Sequence, residues 1–208
     1  MTSSLIPGRI AIGGSRSLSS LHVGAVRSVT RALLDAGYSL RVGCAVGVDS
    51  TVISSVPAAL VSRCHVLAAF GPVSPPYGAP QGRYSAPGAW SGSAVASVAQ
   101  HVQRGGPVTW WAGGDESVPG QARLAARTRA VVAQASAGCV VFFESPGSKG
   151  SALCARSAMS RGLPVFAFPL GFSGLNLPSL GAGSWSRFSV PSPLAGCYIW
   201  QPWARGRR

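Results

Sequence analysis

Three stretches of the 208-residue chain join an apolar run to a helical pattern through small residues. The longest is Val140–Arg156, VVFFESPGSKGSALCAR, whose loop holds the single lysine of the sequence. Ser148, Lys149, Gly150 and Ser151 stand where a helix should begin. First-turn N–H groups, the helix dipole and a lysine together form a cradle for an anion. The second stretch is Gly13–Ser19, GGSRSLS, in which Gly14 lets a ligand approach the backbone and Ser15 and Arg16 can bond it. The third is Val42–Ser50, VGCAVGVDS, with Gly47 and Asp49 beside another helix start. Asp49 suits two roles, a helix N-cap and an acceptor for a sugar or base hydrogen bond. None of the three is GxGxxG or GxxxxGK[ST], so neither a nicotinamide dinucleotide site nor ATPase chemistry of the P-loop type is implied.

Further cations accompany these loops. Arg123, Arg127 and Arg129 fall on one helical pattern, with Arg123 and Arg127 on one shoulder and Arg129 on the other of a face containing Leu124, Val131 and Ala135. Three arginines without a carboxylate on their own helix either bind an anion or form a solvated face. Near the C-terminus Trp185, Arg187, Trp200, Trp203 and Arg205 interleave aromatic rings with cations, as single strands require for base stacking and phosphate contact. The same tryptophans equally suit packing onto a core. The five cysteines, Cys44, Cys64, Cys139, Cys154 and Cys197, show no zinc-ligand spacing, so no metal or other cofactor is expected.

The bulk composition supports an anionic partner. Eighteen Lys and Arg face five Asp and Glu, a formal net charge of +13, and seventeen of the eighteen cations are arginine. A field of that sign favours polyanions, and arginine forks match phosphates bidentately. An N-terminus without a basic, then long apolar run and an odd set of unpatterned cysteines point to a cytoplasmic protein, with no membrane partner expected.

Short apolar runs alternate with amphipathic patterns, the arrangement of βαβ units around a parallel sheet. Strands are expected at 9–13, 40–46, 65–70, 107–112, 139–144 and 164–168, and helices at 21–36, 50–60, 93–103, 121–135 and 150–161. Residues 71–92, rich in Pro, Gly, Ser and Tyr, read as a long loop or lid. The expected architecture is an α/β, Rossmann-like three-layer domain over 1–170 with a mainly parallel sheet, followed by an irregular basic and aromatic extension over 171–208. Ligands of such sheets bind beyond the carboxyl ends of the strands, where the three loops gather.

The order of these motifs resembles the superfamily that joins the DNA-processing protein A (Smf) family to the lysine-decarboxylase-like phosphoribohydrolases. The stretches that carry the resemblance are IAIGGSRSLSS, VGCAVGVDS and the run from Ala126 to Pro169. In the last, Arg127-Thr128-Arg129 and Lys149-Gly150-Ser151 hold the places of the DNA-processing family's Arg-x-Arg and Ser-Gly-Ser motifs. The resemblance implies sequence-tolerant binding of single-stranded DNA, or RNA, with a possible homodimer, to which Trp110 and Trp111 could contribute, and a recombination partner protein. Residues 71–119 depart from the family pattern. The phosphoribohydrolases carry PGGxGTxxE, whose Glu serves catalysis, whereas the matching helix here reads SKGSALCARSAM without a carboxylate. That leans against an enzyme, since such chemistry needs a positioned acid or base. A small-nucleotide sensor or nucleotide-processing enzyme using the same cradle is the alternative.

Overall fold

The structure, a computed structural model, describes residues 8–72, 92–115, 117–189 and 194–203. The expected lid at 71–92 lies almost wholly outside the described residues, as does Arg205. In chain order the elements are β1 (Arg9–Gly14), α1 (Val23–Asp35), β2 (Ser39–Val42), α2 (Val48–Ser55), β3 (Cys64–Leu67), α3 (Gly92–Gln103), β4 (Val108–Thr109), α4 (Gly120–Ala133), β5 (Gly138–Phe143), α5 (Lys149–Ser160), β6 (Val165–Pro169), β7 (Gly183–Arg187) and β8 (Tyr198–Pro202). Short 3-10 turns occupy Ser20–His22, Ala58–Arg63 and Gly174–Asn176.

The strands form one sheet in the order β4-β3-β2-β1-β5-β6-β8-β7. The pairs from β4 to β6 are parallel, β8 runs antiparallel to β6, and β7 antiparallel to β8. Strand alternation sorts the side chains between two faces. Ile10, Ile12, Leu40, Val42, Val140 and Phe142 pack with α1, α2 and α3, while Ala11, Cys139, Val141 and Phe143 pack with α4 and α5. This is the three-layer, mainly parallel α/β architecture that the alternating runs imply.

Two expectations change. Several predicted elements are shorter: β2 stops at Val42 and β3 at Leu67, and the helix expected at 50–60 ends at Ser55, followed by a 3-10 turn. The chain after residue 170 is not irregular but supplies the β7–β8 hairpin, which extends the sheet. Its edge position explains the weak signal. Gly-Ser-Trp-Ser-Arg has one apolar residue in five, because only one side of an edge strand needs to be buried.

No helix among the described residues is long and apolar enough to cross a membrane. All five cysteines are buried and free. Among the described residues no cluster of three or more His, Cys, Asp or Glu is arranged to hold a metal.

Candidate functional site

The chain leaves β1 toward β2, β3 and β4 on one side and returns to β5 and β6 on the other. Between β1 and β5 the connections diverge, and there open α/β sheets hold ligands. A cleft of about 850 Å³ opens at this point. It is lined by the loop after β1 (Gly13–Ser17), by Ala45 and Asp49, by one flank of α4 (Gln121, Leu124, Thr128), and by Ser145 and Ser148–Ser151 before and within α5. The three loops singled out by residue type therefore meet at one site.

Close backbone contacts interlock the loops. Val48 N–H donates to the Ser15 carbonyl at 3.1 Å. Gly47 adopts φ +80°, a conformation that favours glycine, and a Cβ there would run into the Ser15 carbonyl. Gly47 thus seats the second loop on the first rather than facing the cleft. A Cβ at Gly14 would likewise meet the Val48 side chain. Glu144, just past β5, joins the first loop to the third: its Oε1 accepts from Ser19 N–H at 2.9 Å and from His22 Nδ1 at 3.0 Å.

The floor of the cleft holds a buried ion pair. Arg127 Nη1 donates to Asp49 Oδ2 at 2.8 Å, and both side chains are more than nine-tenths buried. The same carboxylate oxygen accepts from Ala45 N–H at 3.1 Å. Burial lowers the proton affinity of the Arg127 guanidinium, but the charge and hydrogen bond of Asp49 together with the nearby Cys44 and Cys154 outweigh it and hold the pKa above the ordinary arginine value. Asp49 therefore sits in the first turn of α2 as the partner of α4 and of the loop backbone, and it is not the N-cap, which is Gly47.

The remaining predicted site residues divide cleanly. Arg16, Lys149 and Gly150 are exposed at the cleft, with Ser15 and Ser148 partly so. Ser151 contributes its place in the first turn of α5, while its hydroxyl is committed to the Phe142 carbonyl at 3.1 Å. Arg123 does not reach the cleft. It is fully buried, donates to the Val118 carbonyl at 3.0 Å and stands 5.4 Å from the Trp111 ring centre. Arg129 is exposed but absent from the cleft wall, since it lies about 200° around α4 from Arg127. Arg123 and Arg127 thus both lie on the buried stripe of α4, Arg127 at the floor of the cleft and Arg123 away from it. Trp110 and Trp111 are half-buried, Trp110 against Phe70.

In the hairpin Trp200 is buried and meets Trp185 edge-on, with ring centres 5.2 Å apart, so this pair serves the core. Trp203 is 66% exposed, and Arg187 is exposed. The cleft residues that sequence reading did not assign to the site include Ser17, Gln121, Leu124, Thr128 and Ser145. Four of the five are small or uncharged polar residues without a type signal. The spacing of Gln121, Leu124 and Thr128 by three and four places them on one flank of α4, the available clue.

Asp49 is the one carboxylate on the cleft wall among the described residues. Of the other described acids, Asp35 pairs with Arg31, Asp115 bonds Ser117, and Glu144 bonds His22 and Ser19. With Asp49 neutralised by Arg127, the exposed charges at the cleft are Arg16 and Lys149. The first-turn N–H groups of α5 add partial positive charge.

No protein-family model matches the sequence, and no curated protein does. Solved structures do match. DNA processing protein A from Helicobacter pylori, described for its single-stranded DNA binding mode, superposes with a TM-score of 0.58 at 20% identity, over 83% of this chain and 71% of that one. DNA processing protein A from Streptococcus pneumoniae gives a TM-score of 0.55 at 21% identity over 81% of this chain, which spans 52% of that protein's length. The chain therefore shares the fold of the DNA processing protein A structures over about four-fifths of its length.

Proposed function

We propose that this chain binds single-stranded nucleic acid, DNA in the first instance, through the cleft between β1 and β5, with little preference for sequence. The observation that carries the reading is the charge of the cleft: Arg16 and Lys149 stand exposed around the start of α5, and the one carboxylate on the wall is paired with Arg127. Phosphates then meet positive charge and free N–H groups, with no unpaired acid to repel them. The net charge of +13 favours encounter with a polyanion. The single-stranded DNA binding described for the H. pylori protein of the same fold supports the choice of ligand.

Fluorescence anisotropy of a labelled oligothymidylate at two salt concentrations tests this. The wild type should bind with an affinity that falls steeply with salt, by about 0.7 in log–log slope for each phosphate neutralised. Lys149→Glu should weaken binding at least tenfold without lowering the melting temperature, because Lys149 is exposed. Equal binding by the variant and the wild type overturns the assignment of the cleft.

A small nucleotide is the second reading, favoured by the cleft's volume, which falls within the ~300–1,000 Å³ of small-molecule sites. A thermal shift with one mononucleotide, in a protein indifferent to oligonucleotides, would establish it instead. No residue is assigned a catalytic role.

A further inference from the structure

We propose that Arg9, Arg41 and His65 form a second anion-binding surface, separate from the cleft, that takes the phosphodiester backbone of a nucleic acid. The choice of nucleic acid as the source of phosphate rests on the function proposed above; the anion site itself does not.

The sheet register places the three residues together. Ala11 of β1 pairs with Arg41 of β2, and Arg41 pairs with His65 of β3. Neighbouring strands lie ~4.8 Å apart, and side chains alternate between faces, so Arg41 and His65 are adjacent on one face. Arg9 precedes Ala11 by two residues and shares that face, next to Arg41 along the diagonal. Thr109 of β4 extends the row, its Oγ1 standing 2.8 Å from His65 Nε2. The row belongs to the face covered by α4, but none of its members lines the cleft. Arg9 is the first residue of β1, and Arg41 and His65 stand level with Ala11, two residues before the Gly13 that lines the cleft.

A parallel sheet is ordinarily covered on both faces and carries apolar side chains there. A polar row therefore calls for a reason, and this one is also uncompensated. Arg41 and His65 are half-buried and Arg9 is exposed. Burial and the neighbouring Arg9 both pull the Arg41 pKa below the ordinary arginine value. Burial and Arg41 do the same to His65. The described carboxylates are engaged elsewhere, Asp35 with Arg31, Asp49 with Arg127, Asp115 with Ser117 and Glu144 with His22. Arg41 makes one hydrogen bond, from Nη1 to the carbonyl of its own neighbour Leu40 at 2.8 Å, and its Nε has no partner. A guanidinium carries five N–H donors in a fork that matches a phosphate, so most of its capacity is uncommitted. A phosphate at this row would relieve the repulsion that Arg41 meets from Arg9 and would accept from the uncommitted Arg41 Nη2. The apolar alternation of the other core strands offers no such place.

Three measurements on the full chain test the proposal. With inorganic pyrophosphate, the His65 imidazole followed by NMR should titrate at higher pH than in the free protein, because a bound anion favours its charged form; an unmoved titration overturns the anion site whatever the cleft binds. With a 30-nucleotide oligothymidylate, Arg41→Gln/His65→Gln should bind several-fold more weakly, with the salt slope reduced by about 0.7 for each phosphate that is no longer neutralised. Wild-type affinity and slope in this variant, with binding abolished in Lys149→Glu, leave the cleft and remove the second surface as a nucleic-acid site; the reverse pattern leaves the second surface and removes the cleft. Should the double variant fail to fold, phenylglyoxal modification of the wild type decides. Oligothymidylate should protect Arg9 and Arg41, and equal modification rates with and without it overturn the proposal.

Discussion

The guanidinium of Arg127 reaches the Asp49 carboxylate at 2.8 Å by crossing the bare backbone of Gly43, where any Cβ would overlap Arg127 Nη1. One contact thus ties α4 to the first turn of α2 and fixes the floor of the cleft. Removing one partner of a buried pair leaves the other charge without compensation, at a cost of ~3–5 kcal/mol. Asp49→Asn should lower the unfolding free energy by about that amount in urea denaturation. Gly43→Ala should act on the same contact by displacing the guanidinium. The two changes combined should then cost less than the sum of the single changes, since both remove one interaction. Strict additivity would show that Gly43 matters for some other reason.

Two of the exposed arginines proposed from sequence, Arg16 and Arg129, should separate in function. Arg16 is on the cleft wall and Arg129 is not. A hydrogen bond to a charged group contributes about 1.5–3 kcal/mol, so losing one corresponds to roughly tenfold or more in affinity. Arg16→Glu should weaken oligonucleotide binding by at least that factor, and Arg129→Glu should change it by less than threefold at moderate salt. Anisotropy titrations on the two variants side by side read the difference. An equal loss in both would mean that overall charge, rather than the cleft, governs binding.

How the sequence signalled these features follows from their range. The first and fifth strands are buried on both faces and read as continuous apolar runs, RIAIGG and GCVVFF, so local pattern suffices. The three small-residue loops converge because chain order around a parallel sheet brings strand ends together. The Asp49–Arg127 pair joins residues 78 apart in sequence, and no local period encodes that. Arg123, Arg127 and Val131 do recur at a spacing of four, which is a buried stripe. Their charge disguised it, because arginines belong to such a stripe only when internal partners exist. The hairpin escaped for a different reason: an edge strand with one covered side needs few apolar residues.

Stability should fall on acidification below neutrality. His101 is fully buried, its Nε2–H donates to the Cys64 carbonyl at 2.9 Å, and burial holds its pKa below the ordinary imidazole value. His65 is depressed in the same direction by burial and by Arg41. Below pH ~6.5 the unfolded chain protonates these imidazoles while the folded chain resists, so the unfolded state binds more protons. The stabilisation is fully present above that value and is lost as pH falls through the folded-state pKa values. Urea midpoints should therefore be level between pH 7 and 8 and decline toward pH 5. His101→Gln should flatten the decline. A variant curve parallel to the wild type would assign the acid sensitivity to other groups.

The tryptophans of the C-terminal hairpin carry the last test, because the composition there suited both base stacking and core packing. Trp200 is buried with its ring edge-on to Trp185, and Trp185 Nε1 donates to the Pro178 carbonyl at 3.0 Å. That geometry anchors β7 and β8 to the face covered by α5, where Trp200 joins the same cluster as Ala155, Ala158 and Ala167. Truncating such a ring costs ~3–5 kcal/mol. Trp200→Ala should lower the melting temperature markedly while the folded fraction keeps its affinity for oligonucleotide. Trp203, 66% exposed, should behave in the opposite way. Trp203→Ala should leave stability within about 0.5 kcal/mol, as surface changes do. If bases stack on the hairpin, Trp203 is the ring positioned to receive them, and oligonucleotide should quench less fluorescence in Trp203→Ala than in the wild type. Undiminished quenching in that variant would take the hairpin out of the interface and leave the cleft loops to hold the strand.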